Sequence, residues 1–289
     1  MKITPVSGAL GAVLDDFDPR DTELDFDAVY QALLDYEVVF FPQVHLTLDE
    51  HMAFGRRFGE PSIFPVARAR GATEATMTVI EDKENTPNAA DEWHTDVTWI
   101  RTPPKCALLH MDVVPERGGD TLWCSATRAY EVLSPQFQSL LDGLIAIHDN
   151  EGFFRGVQKK MGTEGDGLIE ILRRDYPPVE HPLVRTHPET GKRALMYSAQ
   201  FLRRIKDMSE EESRTIVRFL DEHVKDPSLH CRWHWSEGDL AVWDERSTLH
   251  RAAADHFPHR RVIRRLEIDG DRPYFDPTAT PRTKVTVAG

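Results

Sequence analysis

The segment HCRWHWSEGDLAVWDERSTLHRAAADHFPHRRVIRRLEI, residues 230–268, decides the fold class of this chain. It contains three runs of apolar, aromatic and β-branched residues separated by turn residues, and these runs predict strands at 230–235, 239–243 and 261–268. A parallel sheet of βαβ units would need a helix between most strands, and no helical pattern lies between these three. The segment therefore favours a jelly roll or a related double-sheet barrel.

Strands and turns alternate in the same way through much of the remaining chain, with helices placed outside them. Further strand patterns occur at 37–42, 76–80, 106–113, 120–124, 182–186 and 193–198. Helices are predicted at 26–36, 48–58, from 134 onward and at 210–224, and two of them begin at capping boxes. We expect a single domain over residues 1–289 with a mainly β, α+β fold, flanking helices and a double-stranded β-helix (jelly roll, cupin-like) core.

Composition limits the possible partners of the chain. Its 289 residues include 35 Lys and Arg against 48 Asp and Glu, a formal net charge of −13. Nucleic-acid affinity comes mainly from Lys and Arg, so this excess of acid argues against a nucleic-acid partner. No run approaches the roughly 18–20 apolar residues of a membrane span, and the N-terminus lacks the apolar core of a signal peptide. Three scattered cysteines (Cys106, Cys124 and Cys231) without a Cys-x-x-Cys pair indicate reduced thiols and a cytoplasmic location.

The residues with the clearest chemistry are His94 and Asp96, in the tetrapeptide WHTD. Side chains at i and i+2 of a strand point to the same face, so this imidazole and this carboxylate would project together. They are two ligands of the type found in the two-His-one-carboxylate sites of Fe(II) oxygenases, although a His-x-Asp tripeptide alone is a weak signal. His250 is the best third ligand, and His256 and His259 are close enough in sequence to be rivals.

Two further residues suit a dicarboxylate cosubstrate. A turn after His250 would bring the basic strand that contains Arg261 back beside the metal ligands. A guanidinium pairs with a carboxylate through two parallel hydrogen bonds, so Arg261 could bind the far end of a metal-bound 2-oxo acid. Thr121, after the turn at Gly118 and Gly119, could donate its hydroxyl to the same carboxylate.

Nearly the whole chain resembles the taurine dioxygenase/2,4-dichlorophenoxyacetate dioxygenase (TauD/TfdA) family of Fe(II)- and 2-oxoglutarate-dependent dioxygenases. The resemblance rests on motifs in the family's order and spacing: RFGE (57–60), WHTDVT (93–98), TPP (102–104), GGDTLW (118–123), HP (181–182), THP (186–188), WD (243–244) and residues 250–265. It implies the cofactor Fe(II) bound by His94, Asp96 and His250. It also implies the cosubstrates 2-oxoglutarate and O₂, with Arg261 and Thr121 on the distal carboxylate of 2-oxoglutarate. Relatives commonly form dimers or tetramers, so a homo-oligomer is expected.

The resemblance also implies a residue that binds the substrate. Arg265 corresponds to the position that contacts the substrate sulfonate in taurine dioxygenase. It lies four residues beyond Arg261, so both side chains would point to the same face of a strand. The adjacent Arg260 and Arg264 would face the other way as solvated charges. Alternatively, Arg265 could only form an ion pair with an acid.

The remaining pocket positions depart from taurine dioxygenase. Phe154 keeps the family's aromatic wall and Val97 follows the carboxylate ligand, whereas three hydrogen-bonding positions correspond here to Phe64, Ala67 and Ala90. A small zwitterion such as taurine would therefore lose most partners of its amine. We expect a small anionic substrate that is more apolar than taurine: an alkyl sulfate, an alkyl sulfonate or an aryloxy acid.

Other functions stay open at this point. The chain could be a 2-oxoglutarate-dependent hydroxylase of a biosynthetic intermediate. A zinc hydrolase could use the same ligands to activate water, but it would need neither Arg261 nor Thr121. A non-catalytic binding barrel would need no intact ligand set. Residues 150–178 have little clear periodicity, and we interpret them as an insertion that could serve as an active-site lid.

Overall fold

The computed structural model describes residues 2–23, 25–82, 90–161 and 163–282. The strands in these residues are β1 Lys2–Pro5, β2 Ala12–Asp15, β3 Val38–Phe41, β4 Thr78–Asp82, β5 Cys106–Val113, β6 Thr121–Ser125, β7 Ile145–His148, β8 Val179–Pro182, β9 Val184–Thr186, β10 Arg193–Leu195, β11 Leu202–Ile205, β12 His230–Trp233, β13 Leu240–Asp244, β14 Thr248–Ala252 and β15 Arg261–Ile268. The α-helices are α1 Phe26–Tyr36, α2 Leu48–Phe58, α3 Pro65–Ala69, α4 Ala126–Glu131, α5 Pro135–Leu141, α6 Glu151–Met161, α7 Thr163–Asp175 and α8 Glu210–His223. Within this part of the chain, no helix combines the length and the apolar character needed to cross a membrane.

Two mainly antiparallel sheets face each other and form the core of the fold. The large sheet has the strand order β1-β2-β3-β13-β5-β15-β4, and the facing sheet has the order β12-β6-β14. The strands β12, β13, β14 and β15 lie alternately in the facing sheet and the large sheet, which is the strand path of a jelly roll. The predicted mainly β fold with a double-stranded β-helix core is therefore confirmed. Hydrogen bonding between the described strands does not join the two sheets into a closed barrel.

The central strands of the large sheet bury both of their faces. On β13, Ala241 and Trp243 point toward the facing sheet, where the Trp243 ring lies 5.7 Å from the ring of Trp123. Leu240 and Val242 point the other way, into the core beneath α1 and α2. Because successive residues are buried on opposite faces, the strand has a continuous apolar sequence without polar alternation.

The helices begin where their capping residues predict. At the start of α2, Thr47 accepts a hydrogen bond from the Glu50 amide, and the Glu50 carboxylate accepts one from the Thr47 amide. Ser209 and Glu212 form the same capping box before α8. Each such cap stabilises its helix by about 1 kcal/mol, because it satisfies amides that have no partner within the helix.

Several parts of the chain differ from what the sequence predicts, and three of these differences concern segments or residues discussed above. Residues 248–252 form the strand β14, since pairing with β6 gives this polar segment a partner that its own composition does not indicate. Residues 150–178 contain the two helices α6 and α7 instead of an irregular insertion. Arg264 is not a solvated charge: it is buried, and it donates hydrogen bonds to Asp112 and to the Leu46 carbonyl. The outer face of β15 is covered by the segment before α2, which explains this burial.

His51 predicts how the stability of the fold depends on pH. Its ring is fully buried on α2, and within the described residues neither nitrogen has a hydrogen-bond partner. Burial, together with nearby His110 and Arg264, lowers the pKa of His51 to about 3. Below pH 6.5 the unfolded chain binds a proton at this site that the folded chain does not, so folding becomes less favourable as the pH falls toward 3. His51→Leu removes this penalty. We therefore expect the change in unfolding free energy caused by this substitution to be more stabilising at pH 5 than at pH 7.5, by about 2 kcal/mol.

Urea unfolding of both proteins at several pH values measures this difference. A matching substitution, His234→Leu, changes a ring that is 76% exposed and paired with Asp120. Its stability relative to the unaltered chain should not increase as the pH falls. A constant difference between His51→Leu and the unaltered chain from pH 7.5 to 5 would contradict the assignment.

Candidate active site

Backbone hydrogen bonds place His94 beside His250. The His94 amide donates to the His250 carbonyl at 3.1 Å, and the His250 amide donates to the His94 carbonyl at 2.8 Å. These bonds form an isolated antiparallel bridge between the segment 93–96 and β14. β14 is in turn paired with β6 from Thr248 to Ala252. The facing sheet therefore carries His250 directly and holds His94 in register with it.

The three side chains predicted to bind a metal converge at one buried point. One ligand atom from each of His94, Asp96 and His250 lies within 4.8 Å of the other two. His94 Nε2 is 3.5 Å from one oxygen of Asp96, and His250 Nε2 is 3.6 Å from the other. Two imidazoles and one carboxylate are the donor set of non-haem Fe(II) sites, in which three protein ligands leave positions for exogenous ligands. The donor chemistry of these residues therefore fits a catalytic metal.

The protonation of the two imidazoles suits coordination through Nε2. His94 Nδ1 is 2.8 Å from the Glu92 carbonyl. A carbonyl can only accept, so Nδ1 carries the proton and the Nε2 lone pair is available to a metal. Burial, with a contribution from nearby His94, lowers the pKa of His250 to about 3. His250 is therefore a neutral ring near pH 7.

The carboxylate ligand lies among other charged groups. Arg265 Nη1 donates to Asp96 Oδ2 at 2.9 Å, and Arg265 Nη2 is 3.0 Å from Glu267 Oε1. The Asp96 amide donates to Glu245 Oε2 at 3.1 Å. Although burial opposes ionisation, Arg265 and the imidazoles hold the pKa of Asp96 well below its usual range. Burial raises the pKa of Glu267 to about 7 and that of Glu245 well above its ordinary value.

Arg261 and Thr121 lie where the turn before β6 meets β15. Arg261 is 3% exposed, and its nearest carboxylate is Asp82, at 3.4 Å from Nη1. Among the described residues its Nε has no partner. The side chain passes Gly119, where a Cβ would lie 3.3 Å from Arg261 Cδ, and the φ of this glycine is +75°. Thr121 Oγ1 accepts a hydrogen bond from Trp235 Nε1 at 3.0 Å, which leaves the hydroxyl proton for another acceptor.

These two residues fit a dicarboxylate cosubstrate. A buried guanidinium with one long ion pair and an unpartnered Nε needs a further anion to offset its desolvation. Burial lowers the pKa of Arg261, which is the expected effect of desolvating a cation. The distal carboxylate of 2-oxoglutarate has the charge and the planar geometry to fill this role.

The residues predicted to line the substrate pocket belong to one apolar cluster. Phe64, Val97 and Phe154 pack together with Trp99 and Phe201. The Phe154 and Trp99 rings meet edge to face, with centroids 5.7 Å apart. Because Val97 follows Asp96 in sequence, this cluster lies directly against the ligand segment.

A cavity of about 940 Å³ lies beside the site, although the described residues that line it include neither the three candidate ligands nor Arg265. Val97, which follows Asp96 in sequence, lines this cavity. Glu267, which contacts Arg265, lines it as well. The cavity wall also includes the arginines Arg68, Arg101, Arg174 and Arg272. The position and volume of this space suit a small organic substrate.

Two acids lie in this site beside the residues that the sequence predicts. Glu267 lies two residues beyond Arg265 on β15, so the alternation of the strand places both side chains on the same face. That spacing was available in the sequence and could have identified it. Glu245 follows the end of β13, where no periodicity indicates its direction, and only its contacts with Trp243 and Asp96 identify it.

Comparison with known proteins agrees with the fold and with the expected enzyme class. The family model described as "Taurine catabolism dioxygenase TauD, TfdA family" matches residues 2–266. An alkylsulfatase of Acinetobacter baylyi is 33% identical over 276 residues, which cover 94% of this chain and 86% of that protein. An alpha-ketoglutarate-dependent sulfate ester dioxygenase of Pseudomonas putida is 31% identical over 277 residues, with coverage of 94% and 91%.

The three-dimensional comparison points to the same family. The crystal structure of a taurine dioxygenase from Burkholderia xenovorans superposes with a TM-score of 0.77 and 33% sequence identity, covering 97% of this chain and 94% of that chain. The chain therefore belongs to the TauD, TfdA family and is an oxidoreductase of the alpha-ketoglutarate (2-oxoglutarate)-dependent dioxygenase class.

Proposed function

We propose that the chain uses Fe(II) and 2-oxoglutarate to hydroxylate a small organic anion, with succinate and CO₂ as the products of the cosubstrate. The substrate class is an alkyl sulfate, an alkyl sulfonate or an aryloxy acid. The observation that carries the proposal is the convergence of His94, Asp96 and His250 on one buried point. Iron is favoured over zinc because a zinc hydrolase would give the buried Arg261 no role.

Each residue of the site has a defined task in this proposal. His94, Asp96 and His250 would hold Fe(II), which together with 2-oxoglutarate supplies the oxidative chemistry when bound. Arg261 would pair with the distal carboxylate of the cosubstrate, and Thr121 would donate its hydroxyl to the same group. The apolar cluster around Val97 would exclude water from the site.

Arg265 would bind the anionic group of the substrate. Its guanidinium lies between Asp96 and the cavity wall, so an anion bound there would place its neighbouring carbon close to the metal. At the pocket positions that the family resemblance assigns to them, Phe64, Phe154, Ala67 and Ala90 would offer apolar contact but no hydrogen bonds from their side chains. A hydrocarbon or aryl group fits this wall better than an amine does. The alkylsulfatase and the sulfate ester dioxygenase among the relatives support the sulfate branch of this class.

We also propose that α6 and α7, within residues 150–178, act as a lid over the site. Phe154 on α6 and Ile169 and Leu172 on α7 pack in the same apolar cluster as Val97. Glu151 joins the two helices through an ion pair with Arg173 at 2.6 Å. A substrate that occupies the apolar cluster would therefore contact both helices at once.

The assembly and the location of the protein are further parts of the proposal. A homo-oligomer, a dimer or a tetramer, follows from the family resemblance, and light scattering coupled to size-exclusion chromatography measures it. A cytoplasmic location is supported by Cys106, Cys124 and Cys231, which are buried free thiols. Reduced cysteines are the usual state in that compartment.

Succinate formation tests the proposed function directly. The protein is incubated with Fe(II), ascorbate and 2-oxoglutarate, and succinate is measured with taurine, longer alkyl sulfonates, alkyl sulfates and aryloxy acids. We expect turnover with one or more of the bulkier anions at a rate at least about tenfold above that with taurine, because the pocket retains an arginine and loses the polar partners of the amine. Release of sulfite, sulfate or phenol identifies the branch.

Two outcomes would contradict the proposal in different ways. Turnover of taurine equal to that of the longer anions would show that Phe64, Ala67 and Ala90 do not set the preference. If no anion gives iron-dependent succinate, and if no succinate forms by uncoupled turnover without substrate, the Fe(II) chemistry itself is rejected. The same assay with Zn(II) in place of Fe(II) is the control, and it should give no succinate.

A further inference from the structure

Arg265 is surrounded by carboxylates before any substrate binds. Its Nη1 donates to Asp96 at 2.9 Å, and its Nη2 lies 3.0 Å from Glu267. Glu245 adjoins the same group, because its Oε2 accepts a hydrogen bond from the Asp96 amide at 3.1 Å. One guanidinium therefore pairs with two carboxylates in a buried site, and a third acid lies next to one of them.

Glu267 differs from the other two acids in how firmly its carboxylate is held by its partners. Asp96 belongs to the proposed metal site, and both oxygens of Glu245 are engaged, by Trp243 Nε1 at 2.6 Å and by the Asp96 amide. Glu267 instead lines the cavity, and within the described residues its Oε1 makes no hydrogen bond of good geometry. Its ion pair with Arg265 is close but poorly aligned, so another group can displace it.

We propose that Glu267 is a specificity-determining residue that competes with the anionic group of the substrate for Arg265. This inference rests on the proposed function, since it assumes that the anion binds at Arg265. A sulfate or sulfonate that reaches Arg265 from the cavity approaches Glu267 at the same time. Burial raises the pKa of Glu267 to about 7, so at an assay pH of 8 its carboxylate is mostly ionised. Because Glu267 is 7% exposed, little solvent screens the repulsion between the two negative groups. The Glu267 carboxylate thus weakens the binding of an anionic substrate. It can instead accept a hydrogen bond from a neutral group that has the shape of the substrate's anionic group.

Glu267→Gln tests this competition, because it removes the charge and keeps the shape. The KM of the best alkyl sulfate or sulfonate from the panel should fall by about tenfold, the size expected for removing one like charge a few ångströms away at the effective dielectric of a protein site. The value of kcat should stay within about twofold. In a second measurement, calorimetry without O₂ compares the binding of hexanesulfonate with that of the neutral hexanesulfonamide. Glu267→Gln should tighten the binding of the sulfonate about tenfold and should not tighten that of the sulfonamide.

Two further variants separate competition from other effects. Glu211→Gln removes the same charge from the exposed surface of α8, where Glu211 is 77% exposed, pairs with Arg214 at 2.7 Å and does not line the cavity, and this variant should leave both affinities unchanged. Glu267→Thr, with a β-branched side chain suited to a strand, should reproduce the gain if Glu267→Gln is poorly folded by thermal unfolding.

Each result has a separate meaning for the two proposals. An unchanged or higher KM in a folded Glu267→Gln protein, or an equal gain in Glu211→Gln, would overturn the role of Glu267 while leaving the proposed function intact. Failure of the unaltered protein to oxidise any anionic substrate would instead reject the function on which this inference rests.

Discussion

His250→Ala is expected to weaken Fe(II) binding by more than about 100-fold and to abolish substrate-dependent succinate formation. Substituting the outer partners of a metal ligand already costs about 10–100-fold in affinity, so loss of a ligand should cost at least as much. The two remaining candidate ligands, His94 and Asp96, would form an incomplete site. Anaerobic titration with Fe(II), followed by tryptophan fluorescence, measures the affinity, because the Trp243 ring lies 5.0 Å from the His250 ring.

His259→Ala is the matched control for this prediction. His259 is a rival ligand by sequence position, yet its ring is 26% exposed and 3.6 Å from Glu116, away from the converging ligands. Its loss should leave Fe(II) affinity within about twofold of the unaltered value, well below the effect of losing an outer partner. Retention of tight Fe(II) binding in a folded His250→Ala protein would refute the assignment of His250 as a ligand.

The second large effect is expected at Arg261. Arg261→Gln should raise the KM for 2-oxoglutarate by about 100-fold, because losing one partner of a buried charge pair costs about 3 kcal/mol. Fe(II) affinity should stay within about threefold, since Arg261 makes no contact with His94, Asp96 or His250 among its hydrogen bonds in the described residues. Succinate formation at varied 2-oxoglutarate concentrations, with the metal titration alongside, separates the two effects.

Arg260→Gln provides the comparison within the same strand region. Arg260 is one residue away, but it is 58% exposed and pairs with Glu81 on the surface. An exposed ion pair contributes about 0–1 kcal/mol at most, so this variant should leave the KM for 2-oxoglutarate nearly unchanged. A similar rise in both variants would mean that the effect comes from the net charge of the protein and not from a specific contact.

Local patterns predicted several elements of the fold to the residue. The apolar run at 106–113 is the strand β5, and the helical spacing at 26–36 is the helix α1. Both segments are specified by side-chain periodicity and by end signals that lie within the segment itself. The strand predicted at 76–80 is instead β4, Thr78–Asp82, because its ends are set by pairing with β15 and not by its own composition.

The strand that carries His250 shows where local patterns fail. The sequence of β14, TLHRA, has little apolar character, and it is a strand because β6 supplies hydrogen-bond partners along its whole length. Likewise, the burial of Arg264 depends on a segment more than 200 residues earlier, whose Leu46 carbonyl accepts its hydrogen bond. No window of neighbouring residues contains this information.

The sequence by itself determined the jelly-roll class, the starts of the capped helices α2 and α8, the family and the types of residue available for the chemistry, because each of these depends on spacing along the chain. Only the tertiary structure decided which histidines converge with Asp96. It also decided that Arg265 forms ion pairs with both Asp96 and Glu267. The reason is physical: ligand geometry and charge compensation depend on distances of a few ångströms across strands, and strand pairing sets those distances between residues that are far apart in sequence.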